Sequence, residues 1–284
     1  MNRKNLQLFF GLLVVIAFFV WINAFSSAST TDTNLHVYFL DVGQGDAEYI
    51  KTPSGNDILI DGGPDDAVLS ELGRVMNFGD RKIDLVVLSH PHADHLTGLT
   101  EVGERFEIGE VWESGVAYPS AGYDKWRELI IQKNIKNLNV VAGQTQNFGD
   151  VKFSVLYPLL SQKNKTIDNL NNASVISELE YNKFFVLFLG DAEIPAQTQI
   201  LKSVKPAAVV KIGHHGSANA LSEDLLKIVR PSIAVIEVGA KNTYGHPAPS
   251  TISFLKSIAA QIYRTDQNGA IDVVSDGTNW WVRK

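Results

Sequence analysis

Apolar and polar positions are distributed differently in two parts of the chain. From Leu6 to Phe25 the run is almost unbroken apolar, interrupted only by Gln7 and Asn23, and it follows Arg3 and Lys4. The small polar stretch Ser26–Thr30 comes next. This run is longer than the ~7–15 residue apolar core of a secretory signal. It fits the ~17–25 residues that span a bilayer. Residues 1–33 are therefore expected to be a signal peptide or membrane anchor with a short linker. Either way the charge bias keeps Arg3 and Lys4 in the cytoplasm. The rest is then expected on the extracellular side of the cytoplasmic membrane, secreted or anchored through residues 6–25.

From Leu35 the pattern changes to short β-type runs separated by turns. It predicts strands over Leu35–Leu40, Ala47–Lys51 and Asp57–Ile60, broken by Gly43-Gln44-Gly45 and Pro53-Ser54-Gly55-Asn56, both of them turn chemistry. Leu69, Leu72 and Met76 share one face of a helix predicted over Asp65–Asn77. Ile83–Leu88 is a predicted buried strand that runs straight into His90. A strand near Ile108–Trp112, a helix over Tyr123–Ile135 and strands near Val151–Leu156 and Val175–Leu179 follow. Two strongly apolar strands are predicted over Phe184–Leu189 and Ala207–Ile212. A helix over Leu221–Val229 has Ser222 as its predicted cap. Strand Ile233–Val238, helix Ser250–Ala260 and strands Gly269–Val274 and Asn279–Val282 close the chain. Ser161–Asn172 is the long loop. Nothing marks a boundary after residue 34, so 34–284 reads as one α/β domain with helices covering the sheet faces.

Composition narrows the class. Of 284 residues, 45% are hydrophobic and 20% charged, which excludes a disordered chain. The net charge of −6 argues against a broad basic surface for gripping duplex nucleic acid. The chain has no cysteine, so disulfides, thiolate metal sites, a cysteine nucleophile and a lipidated cysteine are excluded. The redox compartment stays open.

The chemistry concentrates in Ser89-His90-Pro91-His92-Ala93-Asp94-His95, which holds three of the seven histidines. Imidazole and carboxylate suit zinc, and also manganese and iron. A tight turn there is expected to aim His90 and His92 one way and Asp94 and His95 another, so that two metals sit close together. His214 and His215 follow the Ala207–Ile212 strand, and His246 lies in Tyr244-Gly245-His246-Pro247. Only His36 stands apart, where a packed or surface histidine is the natural reading. Asp61 and Asp191 end apolar strands, and carboxylates so placed point into the ligand crevice of an α/β sheet.

His90-x-His92-x-Asp94-His95, Asp61 before Gly62-Gly63, Gly190-Asp191 and the His214-His215 pair resemble, in order, the signature of the metallo-β-lactamase fold superfamily. Phe39–Asp46, Asn171-Asn172-x-Ser174, Gly213–Ser217 and Asn242-x-Tyr244-Gly245-His246-Pro247 are similar to the hydrolase domain of ComEC-type competence DNA-uptake proteins. The resemblance implies an αββα sandwich with two divalent ions, Zn or Mn, at one edge. It implies His90 and His92 on the first metal. Asp94, His95 and one of the pair, His215 in preference to His214, would hold the second, with Asp191 bridging. Asp61 would orient a ligand imidazole. The superfamily has a third histidine on the first metal, where this sequence offers Asn171, Asn172 and Ser174. Amide or hydroxyl ligation, His246 filling the gap, or manganese as the working metal are the three outcomes left open.

The function so implied is an exported, metal-dependent phosphodiesterase or nuclease acting on DNA in a competence-like role. Asp94 or Asp191 would orient the water, and His246 would protonate the leaving oxygen. Glycine turns at Gly43, Gly45 and Gly216 would let backbone amides approach a phosphate. Asp46, Lys211, Ser217 and Tyr244 fall beside the motifs as substrate or supporting groups. Lys211 and Lys241 are either phosphate contacts or ordinary surface lysines. Trp126, Trp280 and Trp281 either stack on bases or pack. Two other classes remain: a hydrolase of a small lactone, β-lactam or nucleotide phosphodiester, which an acidic surface suits, and a metal-binding partner module without catalysis.

Overall fold

The computed structural model describes residues 3–26 and 32–283, in two units, Met1–Thr33 and Asn34–Lys284. The first holds helix α1, Arg3–Ser26. The expected signal or anchor over residues 1–33 falls partly outside the described residues. Among the described residues no helix is long and apolar enough to cross a membrane.

The second unit begins β1 (Leu35–Phe39), β2 (Glu48–Lys51), β3 (Asp57–Ile60), α2 (Ala67–Val75), β4 (Lys82–Leu88), α3 (Ala93–Arg105), β5 (Glu107–Glu113), α4 (Ala121–Gln132) and β6 (Lys136–Asn139). It continues β7 (Thr145–Phe148), β8 (Val151–Tyr157), β9 (Ile176–Tyr181), β10 (Phe184–Phe188), α5 (Ile194–Gln199), β11 (Val209–Lys211), α6 (Glu223–Val229) and β12 (Ile233–Ile236). It ends α7 (Pro249–Ser257), β13 (Gln261–Arg264), α8 (Thr265–Asn268), β14 (Ile271–Ser275) and β15 (Trp280–Arg283). One sheet has the order β15-β14-β1-β2-β3-β4-β5-β6 and the other β13-β12-β11-β10-β9-β8-β7.

Side-chain alternation along each strand makes three apolar layers. Leu85 and Val87 of β4 point between the sheets, with Phe39, Phe153, Val186 and Phe188. Val86 and Leu88 point the other way, against Leu72 of α2, Leu96 and Leu99 of α3 and Trp126 of α4. On the far side, Leu187 and Val210 pack on Ala196 of α5, Leu226 of α6 and Leu255 of α7. The result is an αββα sandwich. A chain of rings, Trp112 to Phe153 to Phe188 to Phe39, with centroids 6.1–6.4 Å apart, joins the two sheets at its centre.

Strand direction positions the site. β3, β4 and β5 run parallel, as do β10, β11 and β12. The carboxyl ends of β3, β4, β10 and β11 therefore deliver Asp61, His90, Asp191 and His214-His215. A backbone bond from Val175 N to Ser89 O, 2.8 Å, joins the two halves at this edge.

The main departure from expectation is α3. The sequence pattern predicts a turn at His90–His95, yet Asp94 and His95 form the first turn of a 13-residue helix, preceded by an extended segment carrying His90 and His92. Thr97, Gly98, Thr100 and Gly103 lower its intrinsic propensity, while Leu96, Leu99 and Val102, all buried, hold one face to the sheet. Strands β6, β7 and β13 are also additional to the expected set. Ser222 caps α6 as predicted, accepting from Leu225 N at 3.3 Å.

Helix α3 can dock this closely only through two glycines. A Cβ on Gly98 would lie 1.8 Å from Gly62 O, and one on Gly62 would lie 2.4 Å from Leu99 N. The contact is held by Gly62 N to His95 O at 2.7 Å and Gly98 N to Gly63 O at 3.0 Å. Gly98→Ala is therefore expected to cost at least about 1–3 kcal/mol, read as a lower urea midpoint at unchanged m-value. Gly73→Ala on α2, where a Cβ meets nothing within 4 Å, is the control and is expected to gain about 0.5–1 kcal/mol.

Candidate metal centre

Two groups of side chains converge on Asp191. Asp94, His95, Asp191 and His215 form one set whose ligand atoms lie within 4.8 Å of one another, and His90, His92 and Asp191 form another. His95 Nε2 lies 3.3 Å from Asp191 Oδ2, and the Nε2 atoms of His215 and His90 lie 3.8 and 3.9 Å from it. His90 Nε2 and His92 Nδ1 are 2.9 Å apart. His215 Nε2 is 3.3 Å from Asp94 Oδ2. All are buried except His92 and Asp94, which face the cavity.

Two of these rings, His95 and His215, are held by their other nitrogen. Asp61, fully buried, accepts from His95 Nδ1 at 2.7 Å and from Ser89 N and Oγ at 2.7 and 2.5 Å. His215 Nδ1 donates to Glu237 O at 2.9 Å. These contacts fix the tautomers that leave Nε2 facing Asp191. Asp61, His214 and His215 all hold left-handed backbone, at φ 53°, 47° and 51°.

The electrostatics follow from burial. Burial works to raise the Asp191 carboxyl, but the imidazoles of His95 and His215 hold it well below the usual range. Asp94 is likewise held low against burial, by the hydrogen bond from His215 and the charge on His95. Burial lowers His90 and His92. Burial also works to lower His95, yet Asp191 and Asp61 together raise it.

This donor set fits a pair of divalent cations. Imidazole and carboxylate are the ligands such ions take at neutral pH. Within the cluster, His95 Nε2 and Asp191 Oδ1 are buried atoms with no hydrogen-bond partner, and buried polar atoms seldom remain so without another role.

His214 stands at the open side of the first group. Its Nε2 is 3.9 Å from Asp191 Oδ2, and its Nδ1 is 3.4 Å from Glu193 Oε1. Asn171 Nδ2 donates to Glu193 Oε1 at 3.0 Å and lies 3.2 Å from His214 Nδ1. Asn172 is turned away, its Oδ1 accepting from Glu193 N at 3.2 Å, and Ser174 Oγ accepts from Asp191 N at 3.2 Å. These two shape the loop around Asp191. His246 lies at the mouth, its ring edge-on to His214 at 5.5 Å. Burial, then the charges of His214 and His215, lowers its pKa.

Several other expectations change. Lys211 is neither a phosphate contact nor a surface lysine. It is fully buried, with Nζ in contact with Asp46 and donating to Gly190 O at 3.1 Å. Asp46 in turn lies 3.2 Å from His215 Nδ1 and 3.7 Å from His95 Nδ1. Glu48 and Glu237 complete this buried layer, with Glu237 Oε1 accepting from Ala47 N at 3.0 Å. Burial raises both glutamates, and Glu237 raises Glu48 further. Sequence reasoning did not single out Glu237, although an acid within the apolar run Ile233–Val238 is the signal that marks it. Ser217 Oγ accepts from Asn219 N at 3.3 Å, bracing a turn. Trp126 is buried in the core and presents no face to a base. His36 is buried against Asp272, 3.0 Å away. A Cβ on Gly45 would meet Asp94 O at 2.3 Å, and one on Gly216 would meet Pro247 at 2.6 Å. Those two glycines serve packing. Gly43 instead lines an open cleft of about 700 Å³, along with Lys241. That cleft shares Gln44, Asp94 and Tyr244 with the cavity at the metal centre, of about 240 Å³.

Removing Lys211 strands a buried carboxylate. Lys211→Met is expected to lower stability by about 3–5 kcal/mol, with Asp46→Asn in the same chain restoring most of it. Urea denaturation of the two single variants and the double variant reads the coupling.

The metallo-beta-lactamase superfamily description matches residues 40–239. ComE operon protein 3 of Bacillus subtilis is 24% identical over 257 residues, covering 83% of this chain and 32% of that protein. Recombination protein 2 of Haemophilus influenzae is 27% identical over 239 residues, 82% of this chain and 28% of that protein. The chain thus spans about a third of the length of these curated relatives. Among solved structures, the metallo-beta-lactamase fold protein YhfI of Bacillus subtilis aligns with a TM-score of 0.53 at 13% identity, over 88% of this chain and all of that one.

Proposed function

As the chain belongs to the metallo-β-lactamase superfamily, we propose that it is a metal-dependent phosphodiesterase that cuts DNA. The observation that carries this reading is the pair of ligand groups sharing Asp191, with His95 Nε2 and Asp191 Oδ1 buried and unpartnered. Two cations about 4 Å apart are the usual means of stabilising both the attacking and the leaving oxygen of a phosphoryl displacement. The competence and recombination proteins related to this chain support DNA as the source of the phosphodiester. The apolar run behind Arg3 and Lys4 supports action on the outer side of the membrane.

When bound, divalent cations would supply Lewis acidity and lower the pKa of a water toward neutrality. The chain's own groups do the rest. His90, His92 and Asp191 would hold one cation, and Asp94, His95, His215 and Asp191 would hold the other. Asp61 keeps His95 in the ligating tautomer. Asp94, ionised and partly open to the cavity, orients a water by accepting its hydrogen bond. His246, at the mouth, is placed to donate from its ring to the leaving oxygen. His214 would complete the first cation's set in place of the superfamily's third histidine, with Glu193 orienting its ring.

Residues 34–284 are expected to cleave linear DNA when manganese or zinc is added, and His92→Ala and Asp94→Ala are each expected to abolish cleavage. Gel assays on separate single- and double-stranded substrates read this. A metal-loaded wild type that leaves both substrates intact overturns the reading in favour of a small-molecule hydrolase.

Metal content tests His214 independently. His214→Ala is expected to lower bound metal from about two ions per chain to about one, while Asn171→Ala keeps about two. Elemental analysis after gel filtration measures it, and equal content in both variants removes His214 from the ligand set.

A further inference from the structure

We propose that Tyr244, seated on His246, is a stacking platform for an unpaired nucleobase next to the scissile phosphate, so that the chain acts on single-stranded nucleic acid. The inference rests on the phosphodiesterase reading above and names the form of the substrate.

Tyr244 is 71% exposed, although it sits on a loop that is internally fastened. Asn242 Nδ2 donates to Gly239 O and to His246 O, both at 2.9 Å, and His246 N donates back to Asn242 Oδ1 at 3.1 Å. Gly239 N is fixed to Gln44 Oε1 at 3.0 Å. An aromatic ring that a rigid loop holds out in water gains nothing for the core. It is what a stacking site requires, because little freedom is left to lose on binding.

The ring is also continuous with the metal centre. The Tyr244 and His246 planes lie 19° apart with centroids at 5.9 Å, and the His246 and His214 centroids are 5.5 Å apart. Tyr244 borders both the cavity at the metal centre and the larger cleft beside it. A phosphate in the cavity would thus place its neighbouring nucleoside at Tyr244, with the next part of the strand in the cleft.

Charge decides against a duplex. The cleft has one cation, Lys241, and it also has Asp41 and Asp94. In a chain of net charge −6 this is too little to hold two phosphate backbones. An unpaired strand offers base faces that a duplex keeps stacked inside, and each face on an aromatic ring adds affinity without needing counter-charge.

The test is binding of fluorescent twelve-nucleotide oligothymidylate to the full chain in detergent, by anisotropy in EDTA, where no metal-dependent cleavage interferes. Tyr244→Ala is expected to weaken binding about 5- to 150-fold, and Tyr244→Phe to bind as wild type does. A deoxyribose-phosphate strand of equal length without bases is expected to bind wild type and Tyr244→Ala equally weakly. Circular dichroism confirms that the variants are folded. The proposal is overturned if Tyr244→Ala binds as tightly as wild type, if the baseless strand binds as well as oligothymidylate, or if wild type binds neither. Manganese-dependent cleavage is measured separately. Loss of cleavage with the stacking pattern intact overturns hydrolysis alone, and cleavage with a flat Tyr244 series overturns the platform alone.

Discussion

A fully buried carboxylate is unstable in a protein unless hydrogen bonds replace the water it has lost, and Asp61 is such a group. It takes three, from Ser89 N, Ser89 Oγ and His95 Nδ1. Meeting that need ties the end of β3, the end of β4 and the first turn of α3 to one point. Those are the segments that carry His90, His92, Asp94 and His95. The glycine contact between Gly62 and Gly98 brings the helix near enough for these bonds to form. Geometry at the metal centre is thus a consequence of how one anion is solvated by the chain.

A second buried layer supports the other half. Lys211 at the end of β11 meets Asp46 in the loop after β1, and Asp46 faces the rings of His95 and His215. Ion pairs of this kind contribute little net stability, since desolvation offsets attraction. Their value is positional. Here the pair links the loop after β1 in one sheet with β11 in the other, beneath two imidazoles that must stay within reach of Asp191.

Much of this was legible in the residues. Apolar strands ending in Asp61, His90, Asp191 and His214-His215 are local patterns, and parallel strands gather their carboxyl ends at one edge. What escaped the pattern did so for physical reasons. Strands β6, β7 and β13 lie at sheet edges, where polar side chains are favoured and alternation is lost. Helix α3 owes its existence to packing, against the weak propensity of its glycines and threonines. Lys211 reads as a surface residue because its partner lies 165 positions away. The roles of Asn172, Ser174 and Ser217 turn on which backbone amide each oxygen faces, and spacing carries no such information.

The distance along the chain between the two halves of the metal centre has a consequence for biogenesis. Asp94 and His215 are 121 residues apart, and Asp191 comes from the second sheet. A chain emerging in order exposes His90–His95 long before the remaining ligands exist. At that stage it offers a few weak donors on an unfinished half-sandwich. Tight capture of metal must wait until both sheets have stacked, so loading is a late event that reports completed folding.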